Sequence, residues 1–449
     1  MLTGIPLLLV IALSIVLIVV LTSRFKAHPF LALIIACFFV GIASGMPLDL
    51  MIGSIQSGFG SLMQYIGIIV IFGSVIGVFL EKSGGAMRIA QQIISLTGKG
   101  KTIPALSIIG AVVSVPVYCD SGFILLSGLA DKLGKLGKVN KASLSLALAS
   151  GLYTSHTLIP PTPGPIAAAG NIGASAYLGT IIITGICFSI PILIVTQWLS
   201  KKLGKNIKTE DVLDDAETQE PRELPSFAKA ITPVVLPILL IAVGTVFRFL
   251  EIENAIIEFI SNPMVAIFIG ALSAMFWLKP KGNKAAGNWF VEAIKISGPI
   301  LIITGAGGAF GGVLKATPLQ DFIAQWLAEG TGDLMVIVSI FVISAILKSA
   351  QGSSTSAMVI TSSLLASIIP TLGWENPLQF AFAVMAIGGG AMTVSHFNDS
   401  YFWVVSQFSG MSAKDTSRGY TLLTGVQGLL VLGLCLLGWL VFFISIGDG

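Results

Sequence analysis

Four short polar segments interrupt an otherwise apolar chain, and they hold the residues able to do chemistry. The first is Tyr118-Cys-Asp-Ser-Gly122. The second is Ser155-His-Thr157, followed by the proline run Pro160-Pro-Thr-Pro-Gly-Pro165. The third is Gln351-Gly-Ser-Ser-Thr-Ser356, three residues beyond Lys348. The fourth is Ser395-His-Phe-Asn-Asp-Ser400. Asp120 and Asp399 are carboxyls within or at the end of apolar stretches. A lone charge there is costly, so such residues are functional candidates by default. A carboxyl out of water can take up a proton near neutrality, and histidine titrates in the same range. Asp120, Asp399, His156 and His396 are therefore the expected proton-coupling groups. Lys348 is the only Lys or Arg in its stretch and could attract an anion. Ser121, Thr157, Thr162, Ser353, Ser354, Thr355, Ser356, Asn398 and Ser400 supply hydroxyl and amide groups that suit a polyol. His156 and His396 join them as expected substrate-binding residues. Helix N-termini at such breaks carry partial positive charge and suit a carboxylate.

Blander readings stand beside these. Asp120 could be a structural acid with a basic partner, and each histidine could simply bridge helices. Ser353–Ser356 could be small-residue packing. Lys348 could snorkel to an interface. Glu81 and Lys315 close their apolar runs and read as interfacial anchors. Gly305, Gly307, Gly308, Gly311 and Gly312 read as sites of close helix contact.

The elements that position these segments must lie in a bilayer. Of 449 residues, 54% are hydrophobic and only 10% charged, against roughly 25% charged in soluble domains. A mean hydropathy of +0.93 leaves too little polar surface to cover a soluble core. Disorder is excluded on the same grounds. The four cysteines form no CxxC pair, and three histidines are too few for a metal cluster. No phosphate-binding loop and no nucleic-acid patch is present, because the basic residues are spread over membrane loops. The apolar run Ile5–Leu21 lacks a basic flank and is read as a retained span rather than a leader.

Crossing the hydrocarbon takes about 20 residues of helix. Ten runs qualify: Ile5–Leu21, Pro29–Gly45, Leu62–Leu80, Ala142–Ile159, Tyr177–Leu199, Ile231–Phe249, Pro263–Leu278, Gly298–Leu314, Leu378–Val394 and Leu422–Ile446. Two further stretches, Ile103–Leu129 and Leu334–Ile369, are broken by the first and third polar segments. The first is too short for two crossings and reads as a re-entrant hairpin. Irregular backbone at that depth survives only where protein or water surrounds it. The second is long enough to leave re-entrance or spanning open. With both termini outside, 22 of the 25 Lys and Arg fall on the cytoplasmic side. Arg248 and Lys315 stay outside and Lys348 lies within the second hairpin, a strong positive-inside pattern.

The pattern recurs after about 234 residues. Pro29–Gly45 matches Pro263–Leu278, the broken stretches match each other, and Ser155-His156 matches Ser395-His396. The expected architecture is an all-α polytopic membrane protein with an inverted repeat. Each half, residues 1–199 and 229–449, has five transmembrane helices plus one re-entrant hairpin. Residues 200–228, acidic from Glu210 to Glu223, form a cytoplasmic linker. Inverted repeats with broken helices are a layout of secondary transporters.

These residues also resemble the gluconate permease family of bacterial proton-coupled symporters. The resemblance runs nearly end to end. It rests on Gly45-Met-Pro-Leu-Asp49, Gly305-Ala-Gly-Gly-Ala-Phe310 with Leu314-Lys315, the run Pro160–Pro165, Gly352-Ser-Ser-Thr-Ser-Ala357, and Ser395-His-Phe-Asn-Asp399 followed by Phe402-Trp403. It implies a scaffold domain, a moving transport domain, a homodimer in the bacterial inner membrane, and proton-driven uptake of gluconate or a related sugar acid. Family members often carry Glu where this chain has Asp120, and His where it has Thr162; both departures bear on which acid is taken. Shorter acids such as glycerate or a four-carbon aldonate rival gluconate. No cofactor is expected beyond the coupling proton. Sodium is the rival coupling ion, since clustered hydroxyls and free carbonyls are oxygen ligands. An intramembrane Ser-His-Asp enzyme is disfavoured by the paired halves, and a channel is the remaining alternative.

Overall fold

The computed structural model describes residues 1–97, 101–137, 139–209, 224–250, 252–279, 283–318, 332–396 and 399–444. Among them the chain is helical, with one isolated bridge between Thr209 and Met411. This follows from the solvent: a backbone in lipid must satisfy its N–H and C=O groups within its own segment.

The first part of the chain runs α1 (Gly4–Ser23), α2 (Pro29–Ala43) and α3 (Leu48–Lys82). Pro29 opens α2 at a position where no N–H is needed. Gly45, at φ +72°, turns the chain into α3. Gly84, at φ +76°, ends α3. The next helix, α4 (Gly85–Thr97), leaves at 70° to the second half of α3. Then come α5 (Thr102–Val113) and α6 (Cys119–Gly137), separated by the tip 114–118. Helix α7 (Lys141–Leu158) ends at the proline run, and α8 (Pro163–Asn171) restarts beyond it. Helix α9 spans Leu178–Gly204.

The second part of the chain follows. Helices α10 (Phe227–Phe249), α11 (Ala255–Ser261), α12 (Pro263–Trp277) and α13 (Asn283–Lys315) precede a second hairpin. Its arms are α14 (Asp333–Gln351) and α15 (Ser354–Leu365). They turn on Gly352, which takes φ +82°, and pack on each other. A second interrupted pair follows, α16 (Pro377–Met392) and α17 (Ser400–Ser409). Residues Ala413–Thr421 lead into α18 (Leu422–Trp439).

The helices differ from the apolar runs in extent. Among the described residues six are long and apolar enough to cross a membrane, or up to eight if each bent pair is one span. The run Leu62–Leu80 is the second part of α3, which starts at Leu48. The run Gly298–Leu314 is the end of α13, which starts at Asn283. Small and polar residues hide the extra turns of α3, because they line its contact with α13, and Lys284, Glu292 and Lys295 hide those of α13. A Cβ on Gly58 would lie 2.4 Å from the Gly308 carbonyl, and one on Gly312 would lie 2.6 Å from that of Ser54. The runs Ala142–Ile159 and Leu378–Val394 are each only the first part of an interrupted pair. Prolines stop the first, and the segment 393–399 stops the second. Helix α9 runs on to Gly204, into the expected linker; the acids Glu210–Glu223 lie outside the described residues.

Glycines decide how closely these parts meet. A Cβ on Gly151 of α7 would stand 2.1 Å from the Ser107 carbonyl of α5, and one on Gly390 of α16 would stand 2.4 Å from the Phe341 carbonyl of α14. Each interrupted pair is thus pressed backbone to backbone against the first arm of its hairpin. The pairs also cross each other: a Cβ on Gly388 would meet the Thr157 carbonyl at 2.4 Å. The second arms interlock as well, with α15 against α8 and α17 against α6. All four polar segments are held in one assembly.

Gly151→Ala should destabilise the protein by about 1–3 kcal/mol, because neither backbone can yield. Gly128→Ala, where a Cβ meets nothing within 4 Å, should not. Thermal unfolding in detergent, followed by size-exclusion of the surviving fraction, reads the difference.

Candidate functional site

Lys348 lies in the last turn of α14 and is 1% exposed. A buried ammonium needs an anion and further acceptors. Its Nζ is 2.6 Å from Asp399 Oδ2 and also donates to the Gly352 carbonyl. The ammonium stands 5.7 Å from the centre of the Tyr153 ring, on α7. Asp399 in turn accepts from the Ser395 hydroxyl and, through Oδ1, from the Tyr401 N–H at 3.0 Å. That second bond caps α17. His396 Nε2 lies 3.0 Å from the Ser349 carbonyl. The tip of the second hairpin and the break between α16 and α17 are therefore tied through side chains.

Asp120 lies in the first turn of α6. It is near enough to Asp399 and Lys348 to interact with both electrostatically. Its Oδ1 is buried with no hydrogen-bond partner among the described residues. The centre thus holds two carboxyls and one ammonium. With all three ionised it carries one surplus negative charge, and a proton on one carboxyl would cancel it.

His156, in the last turn of α7, is 6% exposed, and its Nδ1 also lacks a partner among the described residues. Its ring centre is 6.2 Å from that of Tyr118 in the first tip. The Tyr118 hydroxyl is 3.4 Å from Ser74 Oγ on α3. A narrow cleft opens between these groups, Thr162, Pro116 of the first tip, and Pro161 and Pro163 of the α7–α8 break.

Other expected residues fall as follows. Ser121 is half-buried in the first turn of α6. Thr157 is wholly buried, and its hydroxyl donates to the Tyr153 carbonyl of its own helix at 3.0 Å. Thr162 is buried, and its hydroxyl donates to the Ile159 carbonyl at 2.6 Å. Ser353 is exposed and caps α15, accepting from the Ser356 N–H at 3.2 Å. Ser354 and Ser356 are buried and Thr355 half-buried in the first turn of α15. Ser400 is exposed at the start of α17. Asn398 lies outside the described residues.

Two points differ from the expectation. The helix N-termini are not equally open to an anion: Asp399 already caps α17, and Asp120 lies in the first turn of α6. Lys348 does not wait for an anion, since Asp399 already supplies one. Tyr153 was not expected to matter, and Ser395 was expected only as part of the fourth polar segment. Tyr153 stands three residues before His156, on the same helix face, which is the available signal. Ser74 carries no signal in the sequence.

Lys348→Met and Asp399→Asn should each cost about 3–5 kcal/mol, because each strands a buried polar partner. The double variant should cost much less than their sum. Unfolding midpoints of the four proteins test this, and additive losses would mean that the pair contributes no coupling.

The comparisons with known proteins agree on a class. The model of the GntP family permeases matches residues 6–441. A gluconate permease of Pseudomonas aeruginosa is 30% identical over 428 residues, covering 93% of each chain. A D-serine transporter, DsdX of Escherichia coli (strain K12), is also 30% identical, covering 95% of this chain and 97% of its own. In fold the chain is similar to the crystal structure of the Alcanivorax borkumensis YdaH transporter, at a TM-score of 0.68 and 14% identity, covering 93% and 99% of the two chains.

Proposed function

The chain belongs to the GntP family of permeases, and on that premise we propose that it carries a small hydroxylated carboxylate, gluconate or a shorter sugar acid, into the cell with a proton. The observation that carries this reading is the buried group of Lys348, Asp399 and Asp120, where two hairpins and two breaks converge. It is a permease rather than an enzyme, and it is embedded in the membrane through many apolar helices.

The charge balance sets the coupling. In the empty site Lys348 is matched by Asp399. A substrate carboxylate adds a negative charge to a place already short of water, and an unmatched charge there costs several kcal/mol. Lys348 shares itself with the incoming anion while Asp120 takes up the proton, with His156 or His396 assisting. The loaded centre then carries the same single negative charge as the empty centre with both carboxyls ionised, so anion and proton enter together without adding charge, and it can move. Ser353, which caps α15, and the first-turn residues Ser354–Ser356 follow Gly352, whose carbonyl binds Lys348, and complete the carboxylate's setting. Gluconate permeases among the relatives support the acid. The D-serine relatives fit the same carboxylate with a different tail.

Movement follows from the packing. The hairpins and interrupted helices form the moving body, and α3 and α13 belong to the scaffold. Small residues line the sliding contact: a Cβ on Gly307 or Gly311 of α13 would meet Val359 or Ser363 of α15 within 3.1 Å. The two halves, residues 1–199 and 229–449, lie inverted about the linker 200–228 in this reading. The protein works as a homodimer in the bacterial inner membrane with both termini outside.

Uptake into proteoliposomes tests the proposal. An inward proton gradient should drive accumulation of gluconate or glycerate, while a sodium gradient alone should not. Accumulation of neither acid, or of D-serine only, would overturn the substrate; a sodium requirement would overturn the coupling ion. Asp120→Asn should lose gradient-driven uptake while keeping counterflow exchange. Driven uptake at the original rate would remove Asp120 as the proton carrier.

A further inference from the structure

The charged centre accounts for one end of a substrate. The cleft beside it offers a second set of groups. It lies where α3 meets the tip of the first hairpin and the proline break of α7 and α8. Ser74, Tyr118, His156 and Thr162 provide its polar atoms. Ser74 is buried, and its hydroxyl reaches that of Tyr118 at 3.4 Å, a long contact that leaves both oxygens able to take a better partner. His156 is the second observation. Its side chain is more than nine-tenths buried, it lines the cleft, and its Nδ1 has no partner among the described residues. A polar atom held out of water without a bond is costly unless something fills it.

The chemistry of the wall narrows the occupant. Among the lining residues there is no carboxylate and no ammonium. Hydroxyls and an imidazole can both donate and accept. They match an alcohol, which does both, better than an ammonium, which only donates. The room left is about 10 Å³, that of one water-sized group. The glycines of α3 set this width. A Cβ on Gly77 would strike the Pro116 carbonyl at 2.3 Å, and one on Gly73 would touch that of Pro161 at 3.5 Å.

We propose that this cleft is the subsite that reads a hydroxyl at the uncharged end of the substrate, with Ser74 and Tyr118 as specificity-determining residues beside His156. The idea rests on the transport of small acids argued above and adds the group that selects among them. One hydroxyl of the bound acid replaces the long Ser74–Tyr118 contact and meets His156 Nδ1. Because Ser74 comes from α3 and His156 from α7, the substrate also bridges the element that stays and the element that moves. A carboxylate lacking that hydroxyl leaves three polar groups unmatched and is rejected, as sites built around a substrate hydroxyl do.

The test uses the whole protein in proteoliposomes and two matched pairs of competitors against labelled gluconate or glycerate, whichever is carried. Glycerate is set against lactate, which lacks its terminal hydroxyl, and gluconate against its analogue lacking the terminal hydroxyl. Ser74→Ala and Tyr118→Phe should each weaken the hydroxylated member of the matched pair roughly tenfold, while the deoxy member changes less than about twofold. The preference for the hydroxyl thereby collapses. An unchanged preference with intact uptake overturns the subsite. Equal weakening of both members, in protein whose unfolding midpoint is unchanged, also overturns it, since the residues then act only through the fold. If no acid is carried by the wild type, the parent reading fails instead, which is a separate outcome.

Discussion

A lysine that is 1% exposed cannot be left alone. Lys348 takes its charge into a region from which water is excluded, and the surrounding structure is arranged to answer it. Asp399 supplies the counter-charge, the Gly352 carbonyl a second acceptor, and Tyr153 an aromatic face. These come from a hairpin turn, a broken helix and a third helix, so the ion pair is also a tie between elements distant in the chain. A second acid, Asp120, stands close by with one oxygen unmatched among the described residues. With all three groups ionised the centre carries one surplus negative charge.

The glycines serve the same end by another route. Backbones that touch leave no room for lipid or water between them, and small residues allow such contact. Gly151, Gly388 and Gly390 bring α7 and α16 against each other and against the hairpin arms. Only then can the tips meet, and only then are the half-length helices satisfied at their broken ends. One of those ends, that of α17, is capped by Asp399, so the same carboxylate starts a helix and holds Lys348.

Much of this could be read from residue types. The four polar segments show because each is a break in an apolar run, and a break at depth has a cost that must be answered. Lys348 and both aspartates show for the same reason. What the sequence hides is pairing. Lys348 and Asp399 lie 51 positions apart, and only helix packing makes one the partner of the other. Hydropathy also shortens α3, since its first turns meet α13 through glycine and serine, and α13, since its first turns carry Lys284, Glu292 and Lys295. Ser74 is invisible because a serine in an apolar helix usually bonds its own backbone. Its meeting with Tyr118 depends on how far the first hairpin reaches.

A density map of the protein with a transported acid bound is the most direct measure. The substrate carboxylate should lie within about 3 Å of Lys348 Nζ, between the two tips, with Asp399 still in reach of the ammonium. A carboxylate bound elsewhere, with the Lys348–Asp399 pair unchanged, would contradict the account at its centre.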